Sequence, residues 1–194
     1  MNLSDFICKK TEKKIIDWQQ LFNVKVIIIE PSKSRLGVFI PKRNIPHLIR
    51  INNNLNKYAF LITLIHEMAH ASIWVRYGRN VNPHGIEWKE EFQKMMLTFI
   101  NPSYFPDNIL GVLSNYMINP KASTFRDLKL SEALRKYDNN ISITINQISD
   151  GDIFTIDNGK KFKRISKLRK NYQCIELDTH KTYRFSPLAE VFLV

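Results

Sequence analysis

The hydrophobic and polar positions change their period several times along the chain, and each change predicts an element. Residues 3–22 set Leu3, Phe6, Ile7, Ile15, Ile16, Trp18 and Leu21 among lysines, a spacing that predicts one helix, or two, with an apolar face on a core. Three β-branched runs follow: VKVIIIE at 24–30, RLGVFIP at 35–41 and HLIRINN at 47–53. They predict strands in a three-stranded meander, with Pro31, Ser32 and Ser34 in the first turn. Gly37 inside the second run marks a bulge or a close backbone approach. From Ala59 to Trp74 the chain is apolar almost all round, the pattern of a buried helix. Asn54 or Asn56 would cap its start and Gly78 its end. Trp88, Phe92, Met95, Met96 and Phe99 predict a second, amphipathic helix, stopped by Asn101, Pro102, Ser103 and Pro106.

Beyond that point the pattern is mixed. DNILGVLSNYMINP has helical content, and KASTFRDLKLSEALRKYDNN reads as a linker with a short helix capped by Ser131. The remainder is rich in short strands, with turns at Asp157-Asn158-Gly159 and Asp178-Thr179-His180-Lys181. Four or five such strands suggest a small barrel or an open sheet. The expected fold class is α+β: a main domain over 1–120, a linker with a short helix over 121–140, and a small β-rich module over 141–194.

The buried helix carries one polar stripe. Thr63, His66, Glu67 and His70 recur at spacings of three and four against the apolar background. Unpaired polar groups in a core are expensive, so the stripe should line a cleft. His66 and His70 are one helical turn apart and project from the same face. With Glu67 they spell H-E-x-x-H, the pattern by which a helix offers two nitrogen ligands to zinc and a carboxylate to the water beside it. His84, in PHGIEWK, is the candidate third ligand. Glu67 is then the candidate general base, taking a proton from that water and delivering it to a leaving amine. No residue stands out as an oxyanion partner. His47 and His180 read as surface residues.

Composition adds partners. The 194 residues include 44% hydrophobic ones, enough for a core, and carry a formal net charge of +11. That charge favours an anionic partner, nucleic acid before membrane. The stretch KKFKRISKLRK at 160–170 has seven basic residues of eleven, interleaved with Phe162, Ile165 and Leu168. Lys161, Lys163, Arg164 and Lys167 are the candidates there for nucleic-acid backbone contact. The alternative is a solvated hairpin whose lysines blunt an edge strand. Cys8 and Cys174 are far apart, so there is no disulfide framework and no cysteine zinc ribbon, which fits a reducing cytoplasm. The N-terminus has no apolar signal region, and no run reaches transmembrane length, so no membrane partner is expected.

HEMAHASIWVRYG followed by NPHGIEWKEEF resembles the SprT-like zinc metalloprotease family, relatives of the DNA–protein crosslink protease Spartan. The family pattern, H-E-x-x-H on one helix and H-G-x-x-[FW]-K opening the next, is matched by His66, Glu67, His70, His84, Gly85, Trp88 and Lys89. Arg35 and Gly37 match part of an Arg-x-Gly element. The interval from His70 to His84 is too long for the metzincin pattern. The resemblance implies a minimal zincin-like metalloprotease domain: a three-stranded sheet, the H-E-x-x-H helix and a second ligand helix. It also implies one Zn2+ per chain and an endopeptidase acting on DNA-bound or DNA-crosslinked proteins. DNA, single-stranded or junction-containing, would be a partner, and the location cytoplasmic or nucleoid-associated. In such folds the edge strand of the small sheet borders the cleft and can hold an extended substrate by strand addition. Two other readings stay open. One is a regulatory peptidase cutting a specific repressor without DNA; the other is a nucleic-acid-binding protein whose zinc is structural.

Overall fold

A computed structural model describes residues 2–32, 35–124, 127–139 and 142–194. Ser34, expected in the first turn, lies outside them. The chain divides into two compact units, Met1–Asn139 and Asn140–Val194.

In the first unit a short 3-10 turn at Leu3–Asp5 precedes α1 (Lys9–Leu21), which buries Ile15 and Trp18. Trp18 meets Phe99 edge-on at 5.8 Å. The three expected strands form, as β1 (Val24–Ile29), β2 (Gly37–Ile40) and β3 (His47–Asn52). Their order is β1-β3-β2, with β3 parallel to β1 and antiparallel to β2. The meander is therefore corrected: β3 is central and β2 is an edge. Burial accounts for the order. Ile49 and Ile51 on β3 are fully buried, whereas every residue of β2 is only half-buried. A strand so enclosed takes the position where both edges are paired.

The Asn52 backbone N–H donates to the Leu36 carbonyl at 3.0 Å. The antiparallel alternation then turns the backbone groups of Val38 and Ile40 toward β3, and those of Gly37 and Phe39 toward the free edge.

Helix α2 (Lys57–Tyr77) starts where Asn56 accepts from the Tyr58 and Ala59 N–H groups, both at 3.0 Å. It stops at Gly78, whose φ of 60° suits glycine. By length and composition α2 could cross a membrane, which corrects the expectation that no run could. Fourteen of its 21 residues are buried within the unit, His66 and Glu67 among them, and His70 is half-buried. Helix α3 (Ile86–Leu97) packs on α2 through Trp88, Phe92, Met95 and Met96.

Helices α4 (Asp107–Met117) and α5 (Leu128–Arg135) complete the unit. Asp127, not Ser131, caps α5: its side chain accepts from Leu130 N–H at 3.1 Å, while Ser131 is buried inside the helix. The stretch expected as a linker belongs to the first unit as far as Asn139. Leu130 and Leu134 are buried, and Asn56 Nδ2 donates to Leu134 O at 3.0 Å and Asp138 Oδ1 at 2.6 Å. One residue thus caps α2 and ties α5 to it.

The second unit is an antiparallel sheet of β4 (Ile143–Thr144), β5 (Ile153–Thr155), β6 (Lys161–Lys167), β7 (Tyr172–Glu176), β8 (Thr182–Phe185) and β9 (Glu190–Leu193). Their order is β4-β9-β5-β6-β7-β8. Both expected hairpin turns are present, with Gly159 at φ 77° and His180 at φ 56°. Phe154, Phe162 and Phe185 form its aromatic centre, with ring centroids 5.0–5.7 Å apart.

Candidate metal centre

Helix α2 brings His66 and His70 to one face, and the loop before α3 brings His84 to meet them. A ligand-capable atom from each lies within 4.8 Å of the others. His70 Nε2 and His84 Nε2 are 3.1 Å apart. For comparison, nitrogens bound tetrahedrally to one zinc at ~2.05 Å sit about 3.4 Å from each other. The loop is shaped for this. Gly85 N–H donates back to Asn82 O at 2.9 Å, and Gly85 opens α3. Farther along, Glu91 clamps the two helices together. It accepts from Ser72 Oγ at 2.7 Å and Arg76 Nη2 at 2.9 Å.

Electrostatics favours ligand-ready imidazoles. Burial, reinforced by the other two histidines, holds His66 well below the ordinary histidine range. Burial and His84 lower His70 to about 3, and burial lowers His84. All three are therefore neutral at pH 7, the form that ligates. Three neutral nitrogens converging in a half-buried cleft, with no carboxylate and no thiol among them, fit a borderline-soft divalent ion such as zinc.

Trp88 supports the whole set. Its ring centroid is 4.6 Å from that of His66, 5.2 Å from His70 and 4.8 Å from His84, and its plane is within 25° of parallel to that of His70. Spacing alone assigns Trp88 to the core, where it is fully buried. The structure adds that the same indole is the floor on which all three imidazoles rest. The G-x-x-W interval after His84 was the available signal.

Glu67 follows His66 on α2 and is 7% exposed. Desolvation raises its carboxyl to about 7, against the opposing effects of the Phe39 backbone N–H bonded to it and the Arg35 charge. His66, Glu67, His70 and His84 share one cleft of about 1160 Å³. It is lined also by Arg35, Gly37 and Phe39 at the free edge of β2, by Trp74, Arg79 and Val81, and by Ala122, Ser123 and Thr124. No sequence pattern pointed to 122–124. Gly37 proves to be a close approach, with no bulge in the β2–β3 register.

The other candidates lie elsewhere. His47 accepts from Lys42 N–H at 2.9 Å, and His180 occupies its turn. Among the basic residues of β6, Lys161, Lys163 and Lys167 are exposed. Arg164 is not a nucleic-acid contact, which corrects its place among the candidates. It is buried, donates from Nη1 to Ile145 O at 3.0 Å and to Ile148 O, pairs with Asp150 at 2.8 Å and stacks on Tyr172 at 4.0 Å. A guanidinium so occupied has no free donor fork for phosphate. The stripe is also divided. Lys163 pairs across with Ile175, but a register shift between Arg164 and Ser166 leaves Lys167 opposite Tyr172, on the other face of the sheet.

A family model described as SprT-like matches residues 6–108, which is 103 of the 194 residues and spans α1 to the start of α4. The matched span contains all three histidines and Glu67, and the match points to a metalloprotease-type domain around them. No curated protein and no solved structure matches the chain.

Proposed function

The chain belongs to the SprT-like family, and on that premise we propose that it is a zinc-dependent endopeptidase of the minimal zincin type. Its proposed substrates are extended segments of DNA-bound or DNA-crosslinked proteins, and its place of action is the cytoplasm. The observation that carries the reading is the convergence of three neutral imidazoles and one buried glutamate in a single cleft walled by a free strand edge.

His66, His70 and His84 would hold the ion, and Trp88 keeps their rings in place. When bound, zinc supplies Lewis acidity toward a water and toward the scissile carbonyl. Glu67 would accept the water's proton at its carboxylate and return it to the leaving amine. The free edge of β2 offers the Gly37 backbone groups and the Phe39 carbonyl to an extended peptide, which would lie along the cleft as an added strand. Arg35 and Arg79 make the rim cationic, and the +11 net charge supports a polyanion nearby.

The test measures metal by mass spectrometry, and cleavage of casein and of histone with and without single-stranded DNA and a chelator. One zinc per chain is expected, lost on His84→Ala and kept on His47→Ala or His180→Ala. Cleavage should require the metal and rise with DNA. Full zinc in His84→Ala sinks the ligand set. Metal-dependent cleavage indifferent to DNA favours a peptidase for one specific protein. Zinc and DNA binding without cleavage of any protein leaves a structural zinc site.

A further inference from the structure

Gly37 stands where the edge strand β2 comes closest to α2. A Cβ built on it would lie 2.6 Å from Thr63 Cγ2, 3.1 Å from Glu67 Cγ and 3.2 Å from Glu67 Oε1. The first separation is shorter than packed carbons tolerate, so any side chain here displaces a neighbour. Most of the neighbours are tethered. The other edge of β2 is paired to β3 from Gly37↔Ile51 to Ile40↔Leu48. The segment leading into it is pinned by Asn52, whose Nδ2 donates to Arg35 O at 2.9 Å. Helix α2 is built into the core. Thr63 Oγ1 donates to Ala59 O at 2.8 Å, which fixes its β-branched side chain in the rotamer that presents Cγ2 to the strand. Relief of the 2.6 Å contact with Thr63 must then come from β2 drawing back from α2, which takes the strand away from the Glu67 side chain. The Phe39 backbone N–H, two residues along, is on the same free edge and acts on that carboxylate.

We infer that Gly37 is a positioning residue for Glu67: the missing side chain lets the edge strand come near enough for the Phe39 N–H to hold the carboxylate beside His66. Strand β2 then has two tasks, alignment of substrate and alignment of the proton acceptor. The inference rests on the reading of Glu67 as that acceptor and extends it to the strand.

The test uses the full chain loaded with zinc, and a short unstructured peptide as substrate. Gly37→Ala should keep its metal and its fold by circular dichroism. Its kcat should fall about a hundredfold with KM little changed, the scale on which small misplacements of a catalytic group act. Adding Thr63→Ser, which deletes the methyl that a Cβ meets while keeping the Oγ bond to Ala59, should restore most of the loss. A loss of general strand stability has no reason to be repaired by removing one methyl from α2. The second readout needs no activity: amide hydrogen exchange at Phe39. It should quicken in Gly37→Ala, recover in the double variant, and quicken in Glu67→Ala, where the strand is unaltered and only its acceptor is gone. A Gly37→Ala protein that cleaves as well as wild type overturns the inference, as does a loss that Thr63→Ser leaves in place. If Gly37→Ala does not fold, the Glu67→Ala exchange decides: an unchanged Phe39 amide overturns it. The peptidase reading fails separately. It falls if wild type cleaves nothing, and a Phe39 amide that still responds to Glu67→Ala then leaves the strand contact standing.

Discussion

Glu67 in the first unit and Glu176 in the second both have little exposed surface, 7% and 1%, yet their acidities move in opposite directions. Glu67 is raised to about 7 because desolvation outweighs one backbone N–H and the Arg35 charge. Glu176 is lowered to about 2, first by the Lys160 ammonium at 2.6 Å and then by the Thr179 hydroxyl, with the Tyr183 hydroxyl at 3.1 Å also donating. Depth and donors act together: Glu67 lies deep with one backbone donor, whereas Glu176 lies just beneath the surface under three side-chain donors. The second unit surrounds its acid with donors and gains stability. The first leaves its acid short of partners beside three neutral histidines, an arrangement that lowers stability and suits proton transfer.

The largest effect that separates the two is at Glu67. Glu67→Gln should lower kcat/KM by about a hundredfold or more, the usual range for loss of a general base. Its effect on stability should have the opposite sign. A raised carboxyl means that the folded state holds more protons than the unfolded state between pH 4.5 and about 7, so stability falls as pH rises through that window. In the metal-stripped protein at pH 8, Glu67→Gln should therefore stabilise, on the order of 2 kcal/mol. Denaturant melts at pH 5 and pH 8 check this, and a variant that is less stable than wild type at pH 8 breaks the comparison.

Next in size is the acid response of the second unit. A lowered carboxyl contributes stability that is present above its unfolded value of 4.5 and is lost as pH falls through about 2. Glu176→Gln should lower the melting temperature of this unit at pH 7 and flatten its acid unfolding below pH 4.5, while zinc content stays unchanged. Near-ultraviolet circular dichroism of Tyr172 and Tyr183 follows it. An acid profile identical to wild type would show that Lys160, Thr179 and Tyr183 contribute nothing through Glu176.

A smaller effect is expected from the exposed face of the second unit. Lys161, Lys163 and Arg184 lie on the same side of the sheet by register and are exposed. Replacing the three with Ala should weaken single-stranded DNA binding on every sequence and make the salt slope shallower by about 0.7 per lost phosphate contact. Lys167→Ala, on the opposite side, should change the slope less. Fluorescence anisotropy across a salt series measures both. Unchanged slopes would mean that these cations are a solvated surface and that DNA contact belongs to the lysines of α1.

The smallest effect concerns how the first unit is tied together. Asn56→Ala removes the cap of α2 together with the bonds to Leu134 and Asp138, and should cost about 1–2 kcal/mol. A larger loss would mean that α5 depends on that one side chain.

Much of this was legible in the chain itself. The spacing of His66 and His70, the stop at Gly78 and the stripe from Trp88 to Phe99 are local, and local periodicity determines them. The two hairpin turns of the second unit, at Asp157-Asn158-Gly159 and Asp178-Thr179-His180-Lys181, are local too. Even the inward direction of Arg164 was readable, since it shares the period of Phe162 and not that of Lys161 and Lys163. The lysines around it drew it into a stripe that the pleat divides.

Strand order was not readable, because β1 and β3 pair across an intervening strand, and pairing depends on which strand the core encloses. The wall at 122–124, the indole beneath three imidazoles and the contact of Gly37 with Thr63 and Glu67 were equally out of reach. By itself the sequence determined the elements and the residues able to do chemistry, since both follow from spacing along one backbone. The tertiary structure alone decided which groups surround each buried charge, because desolvation and hydrogen bonding act through space between segments far apart in the chain.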